Sequence, residues 1–238
     1  MATVQTHAAE SPTPECVPEL RAGDRLSRAE FERRYAAMPH VKKAELIEGV
    51  VYLPLPVSHQ DHGRPHFKLI TWLGIYESAT PGVDGGDNAT VRLDLDNEPQ
   101  PDALLRILPE CGGQSRDSGQ YVGEAPELIA EVTASSASYD LHDKLRAYQR
   151  NGVCEYVVGR VWDRAIDWFV LREDRYERLS LSPAGHYQSQ VFPGLWLDPA
   201  AMIRGDLAQV LAVLQQALAS PEHAEFVQRL RSASQQPS

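Results

Sequence analysis

The segment from Glu127 to Val158 constrains this chain more than any other. Glu127-Leu-Ile-Ala-Glu-Val-Thr133 is a near-continuous apolar run, the pattern of a central strand covered on both faces. A helix read over Tyr139 to Asn151 follows, with Gly152 in the C-terminal capping position, and then a second apolar strand, Glu155-Tyr-Val-Val158. Strand, helix, strand at this length is the form of a right-handed crossover between parallel strands. Strands otherwise outnumber helices, so the expected fold class is α/β with α+β character: a mixed central sheet flanked by helices.

Glu131 interrupts that apolar strand. Side chains alternate along a strand, so Ile129, Glu131 and Thr133 share one face, and a buried carboxylate there needs a partner or a metal. A second acid, Asp102, follows the proline of Glu98-Pro-Gln-Pro-Asp102 and leads into the apolar strand Ala103-Leu-Leu-Arg-Ile107. Two carboxylates at the ends of adjacent strands can hold a hard divalent cation, which prefers oxygen ligands. The bland alternative is a pair of surface acids or a salt bridge. Lys144 lies on the helix after Glu131, bordering an apolar stripe of Leu141, Leu145 and Tyr148. It either points inward or snorkels, with its stem packed and its charge in water, and sequence alone favours snorkelling. Clustered carboxylates repel each other, so Asp102→Asn is expected to raise the metal-free melting temperature, and Lys144→Met, which keeps the apolar stem, is expected to fold.

Glu45 and Glu48 flank a strand, or strand pair turning at Gly49, and either is a candidate third acid. His59, His62 and His66 fall at i, i+3 and i+7, the spacing of one helical face and of a three-histidine metal site. Pro65 interrupts that face, so a single His59 beside a carboxylate site is the preferred reading. Elsewhere, Ser27 and Glu30 have the spacing of a capping box for a helix to Ala37, and Asp206 to Ala219 reads as a C-terminal helix. Residues 109–123 read as loop. There is no phosphate-cradling glycine loop, nucleophile elbow or dinucleotide fingerprint.

With 238 residues, 42 % apolar and 24 % charged, the chain can bury a substantial core. The formal net charge of −10 excludes a broad electrostatic footprint on nucleic acid but not a local basic groove. No apolar stretch reaches the length of a membrane span, and the N-terminus lacks the form of a signal peptide. Cys16, Cys111 and Cys154 are scattered, which favours free thiols and a cytoplasmic location. The organisation expected is an extended or disordered arm over 1–24, a domain over 25–204, and a C-terminal helix with a polar tail over 205–238.

Glu45-Leu-Ile-Glu-Gly49, His59, Pro101-Asp102, Glu131-Val132, Asp140, Lys144, Tyr148, Gly152-Val153 and Glu155-Tyr156, in this order, resemble the Uma-two family, described as putative restriction endonucleases. The resemblance runs from about residue 25 to about 204 and takes in Phe192-Pro-Gly-Leu-Trp-Leu-Asp198. It implies a nuclease core of the PD-(D/E)XK superfamily acting on DNA with Mg²⁺ or Mn²⁺. By the resemblance, Asp102 and Glu131 are the two motif acids, the carbonyl of Val132 is a further ligand, and Glu45 matches the acid of the first motif. Thr133 occupies the usual lysine position, so Lys144 is the migrated catalytic lysine. Ala134-Ser-Ser-Ala137 departs from the family's Ser-Pro-Ser-Thr, and Val157 replaces an aromatic. Dimerisation would suit cutting both strands. The alternative is a catalytically inactive nuclease-like scaffold that binds nucleic acid or protein.

Overall fold

The computed structural model of the chain describes residues 17–54, 58–134 and 139–235, with 139–141 as backbone only. Cys16, the side chain of Leu141, and residues 135–137 of the altered loop therefore lie outside the described residues. In chain order the elements are α1 (Arg28–Ala36), β1 (Glu45–Ile47), β2 (Val50–Tyr52), a π-helical turn (His59–Gly63), α2 (Arg64–Ala79), β3 (Val83–Asp87), β4 (Val91–Arg92) and β5 (Ala103–Ile107). Then come β6 (Arg116–Ser118), β7 (Tyr121–Gly123), β8 (Leu128–Thr133), α3 (Tyr139–Asn151), β9 (Glu155–Arg160), β10 (Ala165–Arg172) and β11 (Arg175–Arg178). The chain closes with β12 (Tyr187–Gln188), β13 (Trp196–Leu197), α4 (Pro199–Arg204), α5 (Leu207–Leu218) and α6 (Pro221–Ser234).

Six strands form the main sheet in the order β11-β10-β9-β8-β5-β3. β8 and β9 run parallel, joined by α3, and the other neighbours are antiparallel. The sheet is thus mixed, as the crossover pattern predicts. Gly152, at φ +83°, ends α3 in a conformation that side-chain-bearing residues rarely adopt.

Strand alternation sorts the core into two layers. Ala103, Leu105, Leu128, Ala130, Val132 and Trp168 face α2 and α5, against Trp72, Tyr76, Val210 and Leu214. Trp72 and Trp168 meet edge to face at 6.0 Å. Each such ring buries roughly 200 Å² of surface, about 5 kcal/mol of gross hydrophobic stabilisation. Leu104, Ile129, Tyr156 and Val158 face the other way, against Tyr148 of α3.

Several local expectations change. Ser27 caps α1 without a side-chain bond. Glu30 turns instead to the guanidiniums of Arg33 and Arg34, whose charge-assisted bonds displace the capping box and hold its pKa down to about 2. Pro65 does not kink α2, because it sits in its first turn, where a missing N–H costs nothing. Residues 109–123 are more ordered than a loop: the β6–β7 hairpin pairs with β4, and Glu127 accepts bonds from the Ile107 and Gln114 amides. The end of the arm read over 1–24 is packed, with Leu20 buried among Phe31, Met38 and Val51. Beyond α5 the chain forms α6, whose sparse apolar positions Phe226 and Leu230 join the core under α2. Gly82, at φ +98°, lets α6 close in: a Cβ there would lie 2.9 Å from Cys111 Sγ and 3.1 Å from Leu230 Cβ. Cys111 and Cys154 are free thiols, and among the described residues no helix is long and apolar enough to cross a membrane.

Candidate functional site

Sheet register brings the two motif acids together. β5 and β8 are antiparallel, with Leu104 opposite Ile129 and Ala103 opposite Ala130. One step further places Asp102, at the start of β5, beside Glu131, toward the end of β8. Alternation puts both on the face covered by α3. The contact is direct: the Val132 amide donates to Asp102 Oδ2 at 2.8 Å.

Lys144 is buried, 8 % exposed, and does not snorkel. Its Nζ lies 2.9 Å from Glu131 Oε1 and 2.9 Å from Glu45 Oε1, bridging two carboxylates from different parts of the fold. Tyr148, one helical turn on, donates its hydroxyl to the same Glu131 oxygen at 3.0 Å. The i, i+4 spacing that placed both residues on the inner face of α3 thus aims two donors at one acceptor. Glu45 Oε1 also accepts the Gln100 amide at 2.7 Å, tying β1 to the segment that leads into Asp102. Glu48 goes elsewhere: at φ +52° in the β1–β2 turn, it pairs with Arg150 at 2.9 Å. Between the two candidate third acids, Glu45 is the one in the cluster.

The histidines divide as well. His62 Nε2 lies 3.1 Å from Asp102 Oδ2, and His66 Nε2 lies 3.1 Å from the Asp102 carbonyl oxygen. Their rings approach to 5.4 Å. His59 is exposed at the start of the π-helical turn, so the histidines beside the carboxylates are His62 and His66. Lys43 Nζ stands 3.7 Å from Asp102 Oδ1. Sequence gave no signal for Lys43 over its neighbour Lys42. His62, His66 and Tyr148 carried a readable helical spacing, but their target was out of view.

Electrostatics follow from two carboxylates sharing one buried ammonium. Burial works to lower the Lys144 pKa, yet Glu131 and Glu45 outweigh it and hold the ammonium well above its ordinary value. Burial pushes the Glu131 carboxyl up, and Asp102 and Glu45 add to this against the pull of Lys144. The fold thus favours a proton on Glu131, while Lys144 stays charged between its two carboxylates. Burial also works to raise Asp102, but the His62 bond and charge, the Val132 amide and Lys43 bring it down to about 2. His62 is raised in return, chiefly by its bond to Asp102. Among the described residues, no three His, Cys, Asp or Glu side chains are set as a ready metal cage. Glu45 and Glu131 point at Lys144, and Asp102 points at His62 and the Val132 amide. Val132 thus contributes its N–H to the cluster, whereas the expectation concerned its carbonyl.

A search of curated proteins finds no match. Among solved structures the chain is similar to a putative nuclease belonging to DUF820 from Anabaena variabilis ATCC 29413, with a TM-score of 0.51 at 12 % identity. That similarity covers 72 % of this chain and 97 % of the other, and at such identity it speaks for the fold. The sequence profile of the Uma2 family, described as putative restriction endonuclease, matches residues 28–200 and spans every residue of the carboxylate cluster. The match takes in most of the chain, and the chain belongs to the Uma2 family.

Proposed function

We propose that the protein is a divalent-metal-dependent endonuclease that hydrolyses DNA phosphodiester bonds. The observation that carries the reading is the convergence of Asp102, Glu131, Glu45 and Lys144 at one end of β5 and β8, on one face of the sheet. The donor chemistry fits Mg²⁺ or Mn²⁺: three buried carboxylates supply hard oxygen ligands. Asp102, Glu131 and Glu45, with the Val132 carbonyl, would hold it. When bound, such an ion supplies Lewis-acid activation of the phosphate and a more acidic water.

The chain's own groups do the rest. The Lys144 ammonium, kept charged by its two carboxylates, supplies a fixed positive charge toward the negative charge that develops on the phosphate. Tyr148 fixes the Glu131 carboxylate, and His62 and the Val132 amide fix that of Asp102. A second copy would supply a second site for the opposite strand.

Supercoiled plasmid incubated with Mg²⁺ or Mn²⁺ is expected to be nicked, and EDTA is expected to abolish the nicking. The double variant Asp102→Asn/Glu131→Gln is expected to lose it. Cleavage that survives either treatment would remove the reading. Metal is also expected to stabilise the fold, by about 2–3 kcal/mol at a hundredfold excess over its dissociation constant. Thermal melts in EDTA and in Mg²⁺ measure this, and coincident melts would count against the site.

One observation favours a second reading. Lys144 already neutralises part of the cluster from within, and His62 occupies Asp102, so the carboxylates are satisfied without a metal. An inactive scaffold that binds nucleic acid or protein would have this property. It predicts DNA binding without cleavage under every metal condition.

A further inference from the structure

A cleft of about 240 Å³ lies between the start of α2, the β9–β10 turn and the end of α4. Arg64, Lys68, Arg160, Arg164 and Arg204 line it, and no Asp or Glu does. In a chain of net charge −10, five cations on one concave surface are a strong local reversal of sign. Arg160 is committed to Asp163 and Asp167. Among the described residues the other four have no acidic partner. They come from three separate segments, so the cleft is not one charged helix face. The Lys68 ammonium lies over Gly205, where a Cβ would meet it at 2.5 Å.

Two further features point to the ligand. Trp162 is 66 % exposed in the same β9–β10 turn as Arg164, and Phe67 is 69 % exposed beside Lys68 on α2. Neither ring lines the cleft itself, but both alternate in sequence with its cations; guanidiniums take phosphates in bidentate fashion, and rings stack on unpaired bases. The cleft also reaches β8 from the side covered by α2. Pro65, Gly159, Val161, Ile166 and Met202 line both it and a 60 Å³ cavity that is also lined by Glu131 and Val132.

We propose that this cleft binds the phosphate backbone of single-stranded DNA, with a base stacked on Trp162, on the α2-covered side of the sheet beside the end of β8. Single-stranded is the form inferred because a ring can stack only on a base that has left its duplex partner. This deepens the endonuclease reading and rests on it for the identity of the substrate.

The test is fluorescence anisotropy in EDTA, with a labelled twelve-nucleotide oligothymidine and a duplex of equal length, at several KCl concentrations. The single strand is expected to bind more tightly. Arg164→Glu/Arg204→Glu is expected to weaken it at least tenfold and to flatten the log–log salt slope by roughly 1.4, two phosphate contacts at about 0.7 each. Arg64→Glu/Lys68→Glu repeats the test from a different element should the first pair fold poorly. Trp162→Ala is expected to weaken single-strand binding by roughly five- to a hundredfold, the range for one stacked base. Arg175→Glu/Arg231→Glu removes two exposed charges elsewhere and is expected to leave binding unchanged.

Unchanged binding in folded cleft variants would overturn the proposal, as would an equal loss in the control pair or a duplex preference indifferent to Trp162. Because EDTA silences metal-dependent cleavage, the two readings fail separately. Cleavage without cleft-dependent binding would sink only the cleft, and cleft-dependent binding without cleavage only the endonuclease.

Discussion

Lys144→Met is expected to lose about 3–5 kcal/mol of stability at pH 7 in the absence of metal, the usual cost of removing one partner from a buried ionic group. For a chain of this size that is roughly 6–20 °C in Tm. Methionine keeps the apolar stem but leaves Glu45 and Glu131, 6 % and 8 % exposed, facing each other without a cation. The expectation from sequence was that this variant folds, and the bridging geometry attaches a stability cost to it. The loss has a pH signature. The Glu131 carboxyl is already raised by burial, and removing Lys144 raises it further. A group whose folded pKa is raised favours the fold below its unfolded pKa and loses that contribution as pH rises through the folded one. The variant should therefore be more stable near pH 5 than near pH 8. Mg²⁺ or Mn²⁺ should also restore part of the loss by supplying the missing charge. Cleavage at saturating metal should fall by roughly a hundredfold or more, the scale of one transition-state electrostatic contact. A variant that melts and cleaves like the wild type would remove both roles from Lys144.

Asp102→Asn is expected to lower the metal-free melting temperature, the reverse of what repulsion between carboxylates alone suggests. The Asp102 carboxyl is held at about 2 against an ordinary 3.8, because the surrounding cations and the Val132 amide outweigh its burial and its acidic neighbours. A depressed carboxyl contributes stability above its unfolded pKa and loses it as pH falls through the folded one, here between about pH 4 and pH 2. The shift corresponds to about 2 kcal/mol at neutral pH, or roughly 4–8 °C in Tm. The His62 resonance provides an independent readout. Its pKa, raised chiefly by the bond to Asp102, should drop in the variant when followed by NMR titration. Cleavage should be lost. A higher metal-free melting temperature, or an unmoved His62 titration, would mean that Asp102 is not held by the groups described.

Glu131, Asp102 and the crossover helix were legible because local periodicity carries them. A carboxylate that breaks an apolar strand, an acid after proline at a strand start, and a lysine bordering a helical stripe all follow from periods of two and 3.6 residues. Those periods say which face a side chain occupies and nothing about what it meets. Snorkelling was the better reading of Lys144 until the β1–β2 hairpin placed Glu45, ninety-nine residues away in sequence, 2.9 Å from its Nζ. Helix α6 did carry local signals, a Ser220 cap, Pro221 in the first turn, and His223, Phe226 and Leu230 at i, i+3 and i+7, but the expectation there was of one C-terminal helix and a polar tail.

The sequence by itself determined the mixed sheet, its parallel crossover, and Asp102, Glu131 and Lys144 as candidate residues. The tertiary structure decided the choices among equivalent neighbours: Glu45 over Glu48, His62 and His66 over His59, Lys43 over Lys42. It also assembled the basic cleft from α2, α4 and the β9–β10 turn, which share no local pattern. The physical reason is that short-range periodicity sets orientation within one element. Distances between elements tens of residues apart are set by strand register, by backbone turns such as Glu48 at φ +52°, and by packing.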